Sequence, residues 1–174
     1  MQSKLTILVT GLGCAGVLWA ADPSLTVTEF YAPSNKRYFM TGFADESAAL
    51  NANNNASGWY PTGVIFAAYV KNENTQSQPV YRFYSPTANT HFYTTNAAEA
   101  EGLRTDKVNW RDEGIAFYAA NTVGGGCAEG TAPIFRSYNN GFSKKIASNH
   151  RYSPDLTLLQ NHVKAQVETL EGFA

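Results

Sequence analysis

Cysteine and charge are both scarce in this sequence. The 174 residues include two cysteines, and charged residues make up 16% of the chain, with a net charge of −1. No basic patch stands out, which argues against a protein that binds nucleic acid through its phosphates. Aromatic residues, by contrast, make up 13%. Low charge combined with many aromatic residues favours a folded, β-rich protein over a disordered one.

Common catalytic and metal-binding motifs are also missing. The chain has neither a His-Glu-x-x-His spacing nor a paired-cysteine spacing, so we predict no metal and no cofactor. It has no Gly-x-Ser-x-Gly turn and no glycine loop that could hold a phosphate group. These absences favour a binding or structural role over an enzyme of one of these types.

Residues 1–20 form a different kind of sequence from the rest. Lys4 is the only charge in this stretch, and an almost continuous apolar run follows it. The pattern predicts a secretory signal peptide cleaved after Ala20, which implies a secreted, periplasmic or extracellular protein with no membrane attachment after cleavage. A lipid attached at Cys14 is the alternative, although Gly11 stands where such motifs usually have an aliphatic residue.

Removal of Cys14 with the signal peptide would leave Cys127 as an odd cysteine. In an exported protein an odd cysteine is either a free thiol or half of an intermolecular bridge. Cys127 lies in the glycine-rich stretch 124–130, and no histidine base is positioned beside it in the sequence. The sequence therefore favours a linker thiol over a catalytic one.

The mature chain, residues 21–174, is predicted to be one domain in which a single unit is used three times. The central copy, residues 80–119, contains two aromatic-rich strands, a short helix and a Trp-x-x-Glu-Gly step into a third strand. A weaker copy covers about residues 25–69, and an incomplete copy covers about residues 134–174. Units of this size cannot bury their apolar faces alone, so we expect them to pack on one another.

Capping residues predict where the helices begin. Asn96 followed by Glu99 resembles a capping box, in which the glutamate reaches back to the N-cap backbone. Asp155 takes the N-cap position in the third copy, and His162 in the helix that follows is expected to face solvent. Residues 45–50 could form one or two helical turns.

Polar or glycine-rich linkers are expected at residues 71–78 and 121–132. The apolar run at residues 64–69 is typical of a strand buried on both faces. The third copy lacks most of its closing strand after Gly172. We therefore expect the first strand, residues 27–31, or another segment to cover the open edge.

Three strand–strand–helix–strand units most simply close around a pseudo-threefold axis. The predicted fold class is mainly β with short helices, arranged as a closed, three-bladed propeller-like array. A β-trefoil-like barrel is the alternative. Closure would remove open strand edges, which aromatic strands cannot safely expose.

Charged residues recur at three aligned positions of the copies. Where one position changes its charge, the others change with it, so the economical explanation is that they are neighbours and compensate one another. The positions hold Glu29, Arg82 and Arg136 in the first strand, Arg37, His91 and His150 at the start of the second strand, and Thr62, Glu113 and Glu171 before the recurring glycine.

A catalytic interpretation of the same residues is the alternative. His91 with Glu113 could form a general acid–base pair or a metal site, and His150 with Glu171 could form a second. We favour structural pairing, because buried charges are usually kept only when they are paired. No catalytic residue is therefore assigned.

Aromatic and amide residues in loops are the candidates for ligand binding. Trp59 and Trp110 recur between copies, and their apolar bodies are expected to pack beside the glycine turns. Exposed aromatics could instead stack on sugars, with loop amides as hydrogen-bond partners. The candidate binding residues are Tyr60, Asn89, Asn139 and Asn140.

The pattern VYRFYSPTANTHFYTTNAAEAEGL followed by W-x-x-EGIAFYA resembles a family of secreted repeats of uncharacterised function, often written YRFYNxxTGxHFYTTxxAE and GWxxEGxAFY. Asn149–Asp155, NHRYSPD, resembles the NHRYTTD of the family's third repeat. The resemblance implies three repeats in a bacterial exported protein. Relatives often carry a cysteine in the final strand that could pair with a linker cysteine like Cys127.

Members of that family are also found attached to glycosidases and cell-wall enzymes. By association, the resemblance implies an exported, non-enzymatic binding module for glycans or cell-envelope polysaccharide. The alternative partner is another protein, bound by an adhesion scaffold. A hydrolase using His91 and Glu113 is the third hypothesis.

Overall fold

The computed structural model describes residues 14–16, 25–55, 57–70, 77–123, 126–146, 148–166 and 169–173. Only residues 14–16 of the expected signal peptide fall within these ranges, so cleavage after Ala20 stays a prediction. The described part contains thirteen strands and four helices. In chain order they are β1 (Cys14–Gly16), β2 (Leu25–Ala32), β3 (Arg37–Thr41), α1 (Ala44–Asn55), β4 (Tyr60–Ala68), β5 (Ser77–Ser85), β6 (Thr90–Thr94), α2 (Ala97–Thr105), β7 (Arg111–Ala120), β8 (Thr122–Val123), β9 (Gly126–Cys127), β10 (Thr131–Pro133), β11 (Phe135–Tyr138), α3 (Gly141–Lys144), β12 (His150–Ser153), α4 (Leu156–Gln166) and β13 (Thr169–Phe173).

The same antiparallel arrangement occurs in all three copies. The first strand of each copy lies between the other two: β2 pairs with β3 and β4, β5 with β6 and β7, and β11 with β12 and β13. A helix, α1, α2 or α4, connects the second strand to the third. The prediction of a mainly β protein with short helices is confirmed. No sheet in the described ranges closes into a barrel, so these pairings establish neither a propeller nor a trefoil.

Several predicted boundaries were wrong. The first helix extends over Ala44–Asn55, well beyond the turns expected at residues 45–50. The expected linker at 121–132 contains β8, β9 and the start of β10, and the linker at 71–78 ends where β5 begins at Ser77. The third copy has the start of its closing strand as β13, which pairs with β11 and ends at Phe173, so its extent after Gly172 agrees with the expectation.

The closing strands are also less buried than an apolar run suggests. Phe66 and Ala68 are buried in β4, but Ile65 is 53% exposed. In β7 Ile115, which lies opposite Tyr81 as Ile65 lies opposite Thr28, is 39% exposed. A strand of this kind is largely exposed along its first half and is buried on both faces only towards its end.

Pairing between the ends of the closing strands joins the copies in a cycle. Each copy contributes two positions, two residues apart, and one pairs with the preceding copy while the other pairs with the next copy. The third copy's positions are filled by β1 rather than by β13. The three paired positions are Tyr69 with Tyr118, Ala120 with Cys14, and Gly16 with Ala67.

The register of β1 identifies it as the replacement for the end of the third closing strand. Cys14 pairs with Pro133 of β10, as Tyr118 of β7 pairs with Pro79 of β5. The expectation that the first strand or another segment would cover the open edge is therefore met by β1. The edge is covered by β1, not by residues 27–31.

The core lies where the strand ends of the three copies meet. It contains Val27 and Val80 from first strands, Phe66 and Phe117 from closing strands, and Ile134 from the third copy, all buried. Burying large side chains of this kind contributes about 1.5–3 kcal/mol each. The core therefore exists only when all three copies are assembled.

Tyrosine hydroxyls connect the second strands of successive copies. Tyr93 Oη donates to the Met40 carbonyl at 2.7 Å and accepts from the Met40 amide at 3.0 Å. Tyr152 Oη makes the same pair of bonds to the backbone of Tyr93, at 3.1 and 2.9 Å. Burial raises the pKa of Tyr93, which keeps its hydroxyl protonated. Each hydroxyl thus satisfies backbone groups at the outer edge of a neighbouring sheet.

The replacement of Tyr93 by phenylalanine tests this connection. Tyr93→Phe leaves the buried amide and carbonyl of Met40 without partners, so we expect a loss of about 1–3 kcal/mol in the free energy of unfolding. Urea denaturation measures the change as a lower midpoint at an unchanged m-value. Tyr84→Phe is the control, because its hydroxyl bonds to Asn89 at an exposed site. Equal effects of the two substitutions would contradict the interpretation.

Removal of residues 1–20 tests the role of β1. A chain that begins at Ala21 leaves the backbone of β10 and the ends of β4 and β7 without their partner strand. We expect its free energy of unfolding to fall by at least about 2 kcal/mol, since each lost hydrogen bond contributes about 0.5–1.5 kcal/mol. Both chains are compared in reducing buffer, which makes the state of Cys127 equal in both. An unchanged urea midpoint would show that β1 adds nothing to stability.

Candidate functional site

Arginine–glutamate pairs cross from each copy to the next. Arg82 binds both carboxylate oxygens of Glu46 in α1, at 2.8 and 2.9 Å. Arg136 binds Glu99 in α2 in the same way, at 3.3 and 3.4 Å. Both arginines are buried. Bidentate pairs of this kind fix orientation as well as charge.

A threonine at the end of the second strand positions each of these glutamates. Thr41 donates to Glu46, and Thr94 Oγ1 donates to Glu99 at 2.6 Å. Asn96 caps α2 by accepting from the amides of residues 98 and 99. The prediction of a capping box was wrong in one respect. Glu99 binds Thr94 and Arg136 instead of reaching back to the Asn96 amide.

The junction between the third and first copies uses the opposite arrangement of charges. Glu29 takes the position of Arg82 and is fully buried, while Leu158 of α4 takes the position of Glu99. The cation comes from Arg151, whose Nε and Nη2 lie 3.1 and 2.9 Å from the Glu29 carboxylate. The expected compensation of charge is therefore present, but across the junction rather than within the first copy.

Within the second copy Glu113 contacts both residues with which the sequence aligns it. Its Oε2 lies 2.8 Å from Arg82 Nε and 3.4 Å from His91 Nε2. Partial burial opposes ionisation of Glu113, but the hydrogen bond from His91 and the charges of His91 and Arg82 outweigh it and hold the pKa of Glu113 below its usual value. The carboxylate is thus held ionised between two donors, which is the arrangement of an ion pair.

The alignment of Arg37 with the two histidines was wrong. Tyr38 pairs with Tyr31 as His91 pairs with Tyr84, so the tyrosine occupies the histidine position and Arg37 precedes it. His150 does occupy that position, opposite Tyr138. After the turn of the first copy, alignment by sequence is therefore shifted by one residue from alignment by strand pairing.

Arg37 instead belongs to a set of contacts between the turns of the three copies. Its side chain donates to the carbonyls of Ala88 and Asn89 in the second copy. Thr90, at the corresponding position, donates to Asn149 Oδ1 in the third copy, and Asn149 Nδ2 donates to the Lys36 carbonyl in the first, both at 3.0 Å. The three turns therefore lie together at one end of the molecule.

The two recurring tryptophans pack alike, but their surroundings differ. Trp59 lies edge-on to Phe39 and Trp110 edge-on to Phe92, with ring centroids 6.0 Å apart in both cases. Phe92 also contacts His150, whose ring stacks on Tyr138 at 4.7 Å. Trp59 leads in the same way through Phe39 to His91 and Tyr84, so aromatic clusters form at both junctions. What sets Trp110 apart is the groove beside the cluster that the second and third copies form together.

That cluster lines an open groove of about 700 Å³, which we call the aromatic groove. Its walls are the turn of the second copy, the loop before β7, and the insertion between β11 and β12. Aromatic rings, amides, hydroxyls and one carboxylate face the same space. The residues that define it are Trp110, Tyr138, His150, Thr87, Asp106, Asn109, Lys145, Ile146 and Ser148.

A second groove, of about 300 Å³, lies on the other side of the same insertion. We call it the basic groove, because its described lining includes three cationic side chains and no carboxylate. It lies between the turns of the third and first copies. The residues that define it are Lys36, Arg37, Lys144, Asn35, Tyr31, Tyr38, Asn139, Ile146, Asn149 and His162.

The four candidate binding residues do not lie together. Asn139 lines the basic groove, whereas Tyr60 is 47% exposed and lines neither groove. Asn89 and Asn140 both have left-handed backbone conformations, with φ of 48° and 54°. Asparagine tolerates this conformation better than most residues, so the two have a conformational reason to be there.

Two expectations about other residues, His162 and Cys127, were wrong. His162 lies edge-on to Tyr38, with ring centroids 5.6 Å apart, so the expectation that it faces solvent was wrong. Cys127 is disulfide-bonded, and the expectation of a linker thiol was therefore also wrong. The side chain of Glu171 lies outside the described residues.

Sequence alignment did not identify Glu46, Glu99 and Arg151 as partners of the aligned charges. A signal was available: Glu46 and Glu99 each stand five residues after a threonine that ends a second strand. No such signal exists for Arg151, because the corresponding residues are Phe39 and Phe92. Arg151 is needed because Glu29 is buried and its charge requires a partner.

Two further kinds of site are absent from the described residues. No group of three or more histidine, cysteine, aspartate or glutamate side chains there is arranged to hold a metal ion. None of the helices in those ranges combines the length and hydropathy that a membrane span needs.

The fold and the junctions define a β-rich domain built from three related units. One family model, described as Domain of unknown function (DUF5648), matches residues 26–167. The chain therefore belongs to this uncharacterised family. No curated protein and no solved structure matches the chain.

The acid dependence of stability tests the ion pair at Glu113. Its pKa in the folded state lies below the ordinary value of 4.5, so the pair stabilises the fold above that pH and the stabilisation is lost as the pH falls through the folded-state pKa. Glu113→Gln should cost about 1 kcal/mol or more at pH 7 and flatten the decline in stability below about pH 4.5. Urea denaturation across this pH range measures both effects.

The matched control is Glu129→Gln, which removes an exposed carboxylate. It should leave both the stability at pH 7 and its acid dependence nearly unchanged. If Glu113→Gln behaves like the control, Glu113 does not take part in a stabilising pair.

Proposed function

We propose that this protein is an exported, non-enzymatic module that binds glycans or cell-envelope polysaccharide in the aromatic groove. The observation that carries the proposal is the composition of that groove. Trp110, Tyr138 and His150 supply ring faces, and Asp106 and Asn109 supply polar groups beside them. A sugar ring has an apolar face and a rim of hydroxyls, so this combination suits it.

The groove also has the size and position of a ligand site. A volume of about 700 Å³ falls within the range of sites for small ligands. Its walls are turns and loops held in place by the junction between the second and third copies. Tyr152 and Arg136, on one side of that junction, bind Tyr93 and Glu99 on the other. The groove therefore has a rigid support.

The hydrolase hypothesis has less support. Glu113 is held by Arg82 and His91, and neither His91 nor Glu113 lines the aromatic or the basic groove. A lowered pKa suits a permanent carboxylate rather than a general acid near neutral pH. The hydroxyl, amide and carboxylate groups that stand beside the rings of the aromatic groove support a glycan over the alternative protein partner of an adhesion scaffold.

We also propose the closed, pseudo-threefold, propeller-like array as the architecture of the module. The cyclic pairing of Tyr69 with Tyr118, Ala120 with Cys14, and Gly16 with Ala67 supports it. The family motif of three secreted repeats supports the same interpretation. Export rests on the apolar run in residues 1–20. Because β1 lies in that run, cleavage after Ala20 would remove two of these three pairings, so the closed array requires a chain that keeps residues 14–16.

A pair of tryptophan substitutions tests the proposed function. Trp110→Ala removes the largest ring of the aromatic groove, and we expect it to weaken binding to glycans found on an array by about tenfold or more. Trp59→Ala is the matched control, because Trp59 packs on Phe39 as Trp110 packs on Phe92 but lines neither groove. It should have a similar effect on stability and little effect on binding.

A glycan array and a cell-wall pull-down with the unmodified chain decide whether there is binding to test. Failure to bind in both would contradict the proposed function. Binding that Trp59→Ala weakens as much as Trp110→Ala would show that the aromatic groove is not the site.

A further inference from the structure

Arg37 is a buried cation that no carboxylate compensates within the described residues. It is 7% exposed, and its Nε and Nη2 donate only to the carbonyls of Ala88 and Asn89. The three arginines at the junctions each pair with a glutamate instead. Because buried charges are normally kept when they are paired, this exception points to a counter-charge from outside the chain.

The surroundings of Arg37 reinforce its charge. Lys36 and Lys144 line the same basic groove and are exposed, and no carboxylate belongs to its described lining. The chain as a whole has a net charge of −1, so this concentration of positive charge is local. A concave site lined by charges of one sign attracts ligands of the opposite sign.

An unsatisfied acceptor lies in the same groove. Asn35 Oδ1 is buried and has no hydrogen-bond partner in the described part of the chain. A buried acceptor without a partner costs about 1–3 kcal/mol. Because Oδ1 is buried, a hydroxyl or amine of a ligand could donate to it once the Asn35 side chain turns towards the groove. A simple inorganic anion without a donor could not.

The basic groove and the aromatic groove adjoin each other. Ile146 lines both, and Asn149 connects them by binding Thr90 beside one groove and the Lys36 carbonyl beside the other. A ligand of several units could therefore extend from one groove to the other across the insertion between β11 and β12.

We propose that the basic groove binds the carboxylate of an acidic saccharide unit whose neighbouring units occupy the aromatic groove. This inference rests on the proposed glycan function and adds the ligand class. The carboxylate would supply the counter-charge near Arg37, Lys36 and Lys144, and a sugar hydroxyl would donate to Asn35. Binding of a charged ligand by surface lysines is weakened by salt, so the affinity should fall as ionic strength rises.

The test compares a hexamer of galacturonate with its fully methyl-esterified form, which keeps the chain of sugars and removes the negative charge. Isothermal titration with the full chain should show at least tenfold tighter binding of the acidic form. The double substitution Lys36→Asn with Lys144→Gln should remove most of that difference. Asparagine is chosen because Lys36 has a left-handed backbone, with φ of 57°, which asparagine adopts easily.

The matched control is Lys107→Gln with Arg111→Gln, which removes two exposed cations that line neither groove. It should leave the preference for the acidic form unchanged. If the control abolishes the preference equally, the attraction is general and the basic groove is not a site.

A glycan array that includes sulfated, neutral and carboxylated glycans separates this inference from the proposed function. Carboxylated hits that need both Trp110 and the two lysines support both proposals. Neutral or sulfated hits without carboxylated ones overturn the carboxylate site and leave the glycan function intact. Failure of every glycan to bind overturns both.

Discussion

Neither the first nor the second copy of the repeated unit satisfies the outer edge of its own second strand. The second strand of the first copy exposes the amide and carbonyl of Met40, and a hydroxyl from Tyr93 in the next copy satisfies them. The second copy depends on Tyr152 in the same way. Because unsatisfied buried backbone groups are costly, the three copies are stable only together. The core, which all three build jointly, leads to the same conclusion.

The arrangement of the buried arginines and glutamates follows from this dependence of each copy on its neighbours. An arginine of one copy binds a glutamate in the helix of the preceding copy, so each pair joins two copies rather than stabilising one. At the third junction the chain keeps the pairing but reverses its direction, with Glu29 and Arg151 as partners. This explains why the arginines recur in the sequence: they hold one copy against another. Glu113 instead pairs with Arg82 and His91 inside the second copy.

Differences between the copies then account for the grooves. The insertion between β11 and β12 separates two spaces, and its residues supply walls to both of them. Trp59 and Trp110 pack in the same way, yet only Trp110 lines one of these two grooves. Under the proposed glycan function, specificity would lie in the parts of the repeat that vary, while the shared parts provide support.

The sequence predicted the succession of strand, strand, helix and strand along each copy and the helix caps at Asn96 and Asp155. It also predicted that another segment would be needed at the third closing strand. It placed Arg37 one position away from where strand pairing places it, because alignment by charge ignored the alternation of side chains in a strand. It could not predict partners across copies, such as Glu99 with Arg136, because their contact depends on how the copies pack. The grooves were missed for the same reason.

Chemical-shift mapping by NMR tests the central claim most directly. The uniformly labelled full chain is titrated with the galacturonate hexamer, and the amides and the indole of Trp110 are followed. The account predicts shifts confined to the turns at residues 33–36 and 86–89, the insertion at residues 139–149, and Trp110, with the Tyr93 and Tyr152 junctions undisturbed. Shifts centred on the outer faces of β4 and β7, or no shifts at all, would contradict it.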